Sequence, residues 1–213
     1  MPSSRTLAES GLPCVGFDVH LTGPRATYVS SDNRTGAADA VRHLHSLGHR
    51  SIATITGPLH MLPAQQRLAG YLDAVHGLGL KPLHVAGDFF LEGGYTCGAQ
   101  LAALPADRRP TALFVAGDEM APGAIHALQD AGLSVPRDVA VVGFDDIEMS
   151  ALVRPALSTL AQDSTGLGAH AVDTLLRLAR EELQPGDLEP FLSPTRLIVR
   201  QSCGGSPAPT PTH

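Results

Sequence analysis

Apolar and polar residues alternate along the chain in blocks that predict strands and helices in turn. Short apolar runs rich in strand-forming residues occupy residues 51–56, 111–116 and 139–144. Between these runs, apolar residues recur every three or four positions, which is the spacing of a helix with one buried face. A strand, a helix and a second strand joined in this way place the two strands in parallel. The repeated alternation therefore predicts an α/β fold built on a parallel sheet.

The same alternation continues on both sides of this central unit. Further strands are predicted at residues 13–19, 28–31, 82–85, 157–160 and 196–199, and helices at residues 33–47, 63–78, 92–104, 121–128 and 165–183. Gly48 and Gly132 stand where helices are predicted to end, a position that favours glycine. The helix at 92–104 contains Gly93, Gly94 and Gly98, which lower its intrinsic stability.

Acidic residues follow two of the predicted strands directly. Asp118 follows the strand at 111–116, and Asp145 and Asp146 follow the strand at 139–144. Ligands of open parallel sheets bind at the carboxyl ends of the strands, so this edge is the predicted binding edge. Two interpretations of Asp118 stay open, because a carboxylate at the start of a helix is also an ordinary N-cap. The Asp145–Asp146 pair fits a Mg²⁺ site or a plain loop.

Two further side chains near this edge have alternative interpretations. Arg67 lies in the first turns of a predicted helix, where most arginines are solvated surface residues. Phe89 follows a short strand and could stack on a sugar or belong to the core. The sequence has no phosphate-binding Gly-x-x-x-x-Gly-Lys, no Gly-x-Ser-x-Gly elbow and no tight histidine spacing for a metal. The residues alone therefore predict a polar cleft at the strand ends without a convincing catalytic set.

Composition narrows the classes of partner. The chain has 213 residues and a net charge of −6, and its 15 Lys and Arg are scattered, so it is a poor DNA binder by itself. Its three cysteines lie far apart, which favours a reducing compartment. The sequence shows no secretion signal and no run of about 20 apolar residues for a membrane span. These features predict a cytoplasmic protein with no membrane partner.

Several short motifs occur in a consistent order and spacing. They include Ser31-Asp32-Asn33 followed by Leu47-Gly48-His49-Arg50, Gly57-Pro58 followed by Arg67-Leu68-Ala69-Gly70-Tyr71, Gly87-Asp88-Phe89, Asp118-Glu119-Met120-Ala121, the run from Val135 to Asp146, Pro155-Ala156-Leu157-Ser158-Thr159, and Leu197-Ile198-Val199-Arg200-Gln201-Ser202. Together these motifs resemble the effector-sensing domain of the LacI/GalR family of bacterial transcription regulators. The resemblance covers residues 5–202.

The resemblance implies the type I fold of periplasmic binding proteins, with two parallel-sheet lobes that close on a ligand. Residues 1–31 and 146–185 would be the remnant of the first, N-terminal lobe. Residues 32–145 and 186–202 would form a nearly complete second lobe, and residues 203–213 have the composition of a disordered tail. Family members carry a helix-turn-helix module and more of the first lobe ahead of this point, so one lobe is expected to be incomplete.

The resemblance also implies ligand-binding roles at five positions. Arg67 would bind sugar hydroxyls or a carboxylate, which its planar guanidinium suits. Asp118 would accept a hydrogen bond from the ligand, and Phe89 would stack on its apolar face. Asp32 and Asp145, at the crossings between lobes, would lie near the cleft. No catalytic residue, metal or cofactor is implied.

The implied function is that of a ligand-sensing domain of a LacI-type regulator, which is not an enzyme. It would bind a small molecule, most often a sugar, and form a homodimer in which residues 118–132 are the candidate dimer helix. Operator DNA would be bound only through a helix-turn-helix that this chain lacks. Two alternatives remain open: a free solute-binding protein, and an enzyme that uses Asp118, Asp145 and Asp146 around Mg²⁺.

Overall fold

Strands and helices alternate along the chain, as the sequence predicts, in a computed structural model that describes residues 11–21, 23–183 and 188–205. The strands are β1 (Cys14–Phe17), β2 (Ala26–Ser31), β3 (Ile52–Thr56), β4 (His84–Ala86), β5 (Ala112–Val115), β6 (Ala140–Asp145), β7 (Ser158–Ala161), β8 (Phe191–Ser193) and β9 (Arg196–Ile198). The helices are α1 (Asn33–Ser46), α2 (Leu62–Gly77), α3 (Leu91–Ala102), α4 (Ala121–Asp130), α5 (Glu148–Leu152) and α6 (Ser164–Ala179). Gly48 and Gly132 follow helix ends with φ of +100° and +78°, which confirms their predicted role.

The chain divides into two units with separate sheets. Unit 1 comprises Met1–Asp32 and Gln162–Thr195, and unit 2 comprises Asn33–Ala161 and Arg196–His213. In unit 1, the strands pair in the order β1-β2-β8 and run parallel. Helix α6 packs against β1 and β2. Asp163 caps this helix, because its carboxylate accepts a hydrogen bond of 2.8 Å from the Gly166 N–H.

Helix α6 buries a different set of side chains from the one that its spacing predicts. The spacing of its apolar residues predicts Ala171, Leu175, Leu176 and Leu178 as core residues, but only Leu178 is buried. Leu175 and Leu176 are 39% and 48% exposed. The apolar residues of this helix therefore extend beyond the side that packs against β1 and β2.

Unit 2 contains a six-stranded sheet in the order β4-β3-β5-β6-β7-β9. Every neighbouring pair runs parallel except β9, which pairs antiparallel with β7. Because the parallel strands share one direction, the carboxyl ends of β3, β4, β5 and β6 meet at one edge. This arrangement confirms the predicted parallel sheet and brings the acidic strand ends together.

Two hydrophobic cores cover the two faces of this sheet. On one face, Ile52, Phe114 and Phe144 pack with residues of α1 and α2. On the other face, Ile55 and Val115 pack with residues of α3 and α4. A sheet that is buried on both faces needs apolar residues at successive positions, which explains the unbroken apolar runs in the sequence.

The unit boundaries differ from those that the sequence predicts. Strand β7 falls within residues 146–185, which were expected in the first lobe, yet it pairs with β6 in the six-stranded sheet of unit 2. Strand β8 falls within residues 186–202, which were expected in the second lobe, yet it pairs with β2 in unit 1. Backbone hydrogen bonds decide which sheet a strand joins, and these bonds cannot be inferred from local periodicity.

The predicted tail at residues 203–213 also begins too early. Cys203 is 1% exposed and belongs to the core on the α1 and α2 face. Residues 206–213 lie outside the described part of the chain. Among the described residues, no helix is long and apolar enough to cross a membrane.

Glycines allow α3 and α4 to pack closely. A Cβ on Gly94 would lie 2.1 Å from the carbonyl oxygen of Met120, and a Cβ on Gly98 would lie 2.8 Å from Cα of Ala124. On the facing helix, a Cβ on Gly123 would lie 2.1 Å from the carbonyl oxygen of Leu91. These glycines lower helix propensity, and the close contact between the helices offsets that cost.

We expect Gly94→Ala to lower the free energy of unfolding by about 1–3 kcal/mol, because the added methyl group overpacks a helix contact. Gly77→Ala is the matched control: its Cβ would meet no atom within 4 Å at the end of α2. Urea unfolding followed by circular dichroism measures both variants. Equal midpoints for the two variants would show that α3 and α4 are not in close contact.

Candidate functional site

The candidate site lies at the carboxyl edge of the unit 2 sheet. Asp118 follows β5 and Asp145 ends the neighbouring strand β6, while Phe89 follows β4, which β3 separates from β5; all three lie at the carboxyl ends of parallel strands in one sheet. Arg67 belongs to α2 and reaches the same edge from the side. The structure therefore brings four of the five predicted residues together within unit 2.

Arg67 is buried, with only 4% of its surface exposed. Its Nε donates to Oδ1 of Asn33 at 2.8 Å, and its Nη1 donates to the carbonyl oxygen of Ala116 at 2.7 Å. Oδ1 of Asp145 lies 3.1 Å from Nη1, and the Phe144 ring centroid lies 3.7 Å from Cζ. The interpretation of Arg67 as a solvated surface residue is therefore wrong.

Asp145 is the carboxylate that pairs with Arg67. Its side chain is 27% exposed, so it is the more accessible member of the pair. Burial is the main cause that raises the pKa of Asp145 to about 6; the positive charge of Arg67 opposes this rise, and the negative charge of Asp118 adds to it. Asp145 therefore presents a carboxylate that titrates close to neutral pH at the strand edge.

Asp118 is buried deeper, with 1% of its surface exposed. One oxygen of its carboxylate accepts from Asp146 N–H at 2.8 Å, from Ser150 Oγ at 2.6 Å and from Ile147 N–H at 3.3 Å. The other oxygen accepts from Thr159 Oγ at 2.7 Å. Four donors are about as many as one carboxylate accepts. Desolvation raises the pKa of Asp118, and these hydrogen bonds oppose the rise.

These contacts change both interpretations of Asp118. The N-cap of α4 is Met120 and makes no side-chain cap hydrogen bond, so the interpretation of Asp118 as the N-cap is wrong. A ligand hydroxyl could reach its carboxylate only by displacing a protein donor. The ligand-accepting role that the family resemblance implied is therefore not the one that this geometry supports.

The contacts also weaken the Mg²⁺ hypothesis. Asp118 is surrounded by hydrogen-bond donors, Asp145 faces Arg67, and Asp146 Oδ1 lies 2.7 Å from Nη2 of Arg200. Each carboxylate already has a partner of the protein's own. In the described part of the chain, no group of three or more His, Cys, Asp and Glu side chains is placed to hold a metal.

The ring of Phe89 lies over two glycines. A Cβ on Gly57 would lie 2.1 Å from ring atom Cζ, and a Cβ on Gly117 would lie 3.0 Å from Cδ1. Phe89 is half-buried, has a left-handed φ of +69°, and its ring centroid lies 6.0 Å from Cζ of Arg67. The ring packs against the core on the α3 and α4 face and also borders the Arg67–Asp145 pair.

Asp32 is the last residue of the first segment of unit 1, whereas the other four belong to unit 2. It is half-buried directly after β2, and its N–H donates to the Ser193 carbonyl at 2.7 Å. Sequence reasoning missed the supporting roles of Asn33, Ser150 and Thr159. Asn33 and Thr159 belong to motifs quoted above, but nothing in the local sequence shows which side chains they contact.

We expect the Asp145 carboxyl to titrate with a midpoint of about 6. Since this pKa lies above that of an unfolded aspartate, the folded state holds an extra proton between about pH 4 and pH 6, and the contribution of Asp145 to stability falls as pH rises through that window. Carboxyl ¹³C NMR measures the midpoint. Asp73 is the internal control, because its hydrogen bond to Arg34 lowers its pKa. A midpoint near 4 for Asp145 would contradict the burial described above.

Comparisons with known proteins match most of this chain. A family model described as a periplasmic binding protein-like domain matches residues 41–203. The chain is 41% identical over 203 residues to the HTH-type transcriptional repressor PurR of Edwardsiella ictaluri, covering 92% of this chain and 58% of that protein. It is 39% identical over 165 residues to the ribose operon repressor of Escherichia coli K12, covering 76% of this chain and 49% of that protein.

Solved structures give the same picture. The Lac repressor dimer bound to operator and the anti-inducer ONPF superposes with a TM-score of 0.78 at 31% identity, covering 89% of this chain and 65% of that one. The complex of the transcriptional regulator CelR with cellobiose superposes with a TM-score of 0.82 at 32% identity, covering 92% and 61%. A LacI family regulator from Enterococcus faecium with bound ribose superposes with a TM-score of 0.78 at 28% identity, covering 89% and 70%. Each of these proteins is longer than this chain, which spans about half to three fifths of its curated relatives.

Proposed function

Since this chain belongs to the LacI/GalR family of transcription regulators, through its periplasmic binding protein-like domain, we propose that it senses a small molecule at the carboxyl edge of the unit 2 sheet. The observation that carries this proposal is the ion pair between Arg67 and Asp145, with 3.1 Å between Nη1 and Oδ1. A buried guanidinium beside a partly exposed carboxylate offers a donor and an acceptor at one place.

The chemistry of these side chains favours a sugar or a related polyhydroxylated molecule. A sugar hydroxyl donates and accepts, so neighbouring hydroxyls can bond to the carboxylate of Asp145 and to the guanidinium of Arg67. Phe89 adds an aromatic surface beside this pair, and the C–H face of a sugar ring packs well on such a surface. Two of the similar structures contain cellobiose and ribose, which is consistent with this class of ligand.

The wider role that we propose is control of transcription by a longer regulator. The curated relatives described above are transcriptional repressors and not enzymes. The Lac repressor structure among the neighbours is bound to operator. We place operator binding in a part of the regulator outside this sequence, because the chain carries a net charge of −6 without a basic stripe. A regulator of this kind acts in the cytoplasm.

We expect Arg67→Lys to weaken ligand binding by about tenfold or more, because lysine keeps the charge but loses the planar fork. The first measurement is a thermal-shift screen of the wild type against D-ribose, cellobiose and nucleobases. Isothermal titration of each hit then gives Kd for the wild type and the variant. Arg34→Lys is the matched control, because Arg34 is an exposed arginine whose Nε contacts Asp73 at 2.6 Å. An unchanged Kd in Arg67→Lys would remove Arg67 from the site.

We further propose that the chain forms a homodimer through an apolar surface of unit 2. Phe90, Leu91, Met149 and Leu152 are each more than half exposed, at 62%, 52%, 53% and 64%. Leu91 also lines a surface cavity of about 250 Å³ with residues of α4, which is the predicted dimer helix. Large exposed patches of apolar side chains mark interaction surfaces in many proteins. The Lac repressor in the similar structure is a dimer, so a second copy is the occupant that we propose.

We expect Leu91→Glu to weaken dimerisation by about tenfold or more, because a buried, unpaired carboxylate is costly at an interface. Sedimentation equilibrium over a range of concentrations measures the dissociation constant. Leu47→Glu is the control, since Leu47 is 39% exposed and follows α1 on the opposite face of the sheet. If Leu91→Glu leaves the dissociation constant unchanged, or the wild type is monomeric throughout, this surface is not the interface.

A further inference from the structure

We propose that Asp118 is a positioning residue that holds the turn after β6 in the one conformation that points Asp145 at Arg67. The proposal rests on the proposed function, since it concerns the same site. It assigns Asp118 a role that needs no contact with the ligand. Four observations support it. They are the backbone of the turn, the hydrogen bonds from Asp118 to the residues on either side of Asp145, the contacts that fix Asp118, and the ion pair between Arg200 and Asp146.

The turn after β6 has an unusual backbone. Asp145 and Asp146 have φ of +124° and +57°, two successive residues other than glycine in the region that favours glycine. Such residues persist only where the surrounding structure holds them. The turn therefore needs fixed contacts on its flanks, and Asp118 supplies them.

Asp118 contacts the turn on both sides. Its backbone N–H donates to the carbonyl of Phe144 at 2.8 Å, just before the two positive-φ residues. Its carboxylate accepts from the N–H groups of Asp146 at 2.8 Å and Ile147 at 3.3 Å, just after Asp145. One residue, which follows β5, thus fixes the entry and the exit of the turn, and Asp145 lies between these two contacts.

Side chains from other segments of unit 2 hold Asp118 in place. Ser150 Oγ and Thr159 Oγ donate to its carboxylate from α5 and β7, at 2.6 Å and 2.7 Å. Gly143 on β6 provides the space, because a Cβ there would lie 2.1 Å from Oδ1 of Asp118. The position of the carboxylate is therefore determined by three separate segments of unit 2.

Arg200 makes a second charged contact with the turn, through Asp146. Nη2 of Arg200 lies 2.7 Å from Oδ1 of Asp146, and Nη1 of Arg200 donates to the Leu157 carbonyl at 2.8 Å. Asp145 is then directed toward Arg67, with 3.1 Å between the charged atoms. The charged groups that act on Asp145 include Arg67 and Asp118, and Arg200 is paired with the next residue. If the hydrogen bonds from the turn to Asp118 were lost, Asp145 could relax to a negative φ and move away from Arg67.

The test measures the Arg67–Asp145 pair without any ligand, so its result does not depend on whether the proposed function is right. In the wild type, Asp118→Asn and Ser150→Ala, NMR follows hydrogen exchange of the Arg67 Nε–H and the ¹³C titration of Asp145. Asp118→Asn removes the charge and one strong acceptor. Ser150→Ala removes one donor and leaves the charge of Asp118 in place. Asp138→Asn is the control, since Asp138 is a carboxylate outside the site that accepts from the Ser134 N–H.

We expect both site variants to speed exchange of the Arg67 Nε–H by about tenfold or more, while Asp138→Asn leaves it unchanged. We also expect the titration midpoint of Asp145 to fall from about 6 toward that of a solvated aspartate in both variants. A fall in Ser150→Ala separates positioning from the loss of the Asp118 charge. If either folded variant keeps the exchange rate of Arg67 within about twofold of the wild type, the proposal is overturned. Should Asp118→Asn not fold, Ser150→Ala decides the question alone.

Discussion

Burial of the Arg67 guanidinium is the constraint on which the rest of the site depends. A charged group that is only 4% exposed is stable only when its donors are satisfied and a counter-charge lies nearby. Asn33 at the start of α1, Ala116 after β5 and Asp145 at the end of β6 supply these contacts. One side chain on α2 therefore ties together three other segments of unit 2. The site is assembled as part of the fold of this unit.

The same arrangement explains how the site could respond to a ligand. The ion pair between Arg67 and Asp145 lies where burial already raises the pKa of Asp145 to about 6, so the carboxylate is poorly solvated before any ligand arrives. A ligand hydroxyl that donates to this carboxylate compensates for that lost solvation. The turn that presents Asp145 has two residues with positive φ, and the carboxylate of Asp118 holds it by accepting a hydrogen bond from the Asp146 N–H. Binding groups that are fixed in advance lose less conformational entropy when a ligand binds.

Much of the fold could be predicted from the sequence, because the features concerned are local. Apolar runs and helical spacing were sufficient for the parallel sheet, and Gly48 and Gly132 end helices as predicted. Two assignments failed because they depend on distant partners. Whether β7 and β8 join unit 1 or unit 2 is decided by hydrogen bonds to β6 and β2, and no local pattern encodes that choice.

Asp118 shows the same limit within the site. Its local sequence indicates an N-cap and the family resemblance indicates a ligand contact, yet its carboxylate contacts Ser150 and Thr159, which lie 32 and 41 residues further along the chain. The ligand-binding role that the resemblance implied for Arg67 stays a prediction, and the general expectation that Arg67 is solvated is wrong. Its burial follows from contacts with Asn33 and Ala116, 34 and 49 residues away in the sequence.

The central claim is that a small molecule binds against Arg67 and Asp145 at the carboxyl edge of unit 2. The most direct measurement is an NMR titration of the labelled chain, in which the Arg67 Nε–H and the Phe89 ring signals are followed while D-ribose, other sugars or nucleobases are added. Our account predicts that a compound that binds shifts both signals in a saturable way with one shared Kd. A compound that binds to the chain and leaves both signals in place would contradict it.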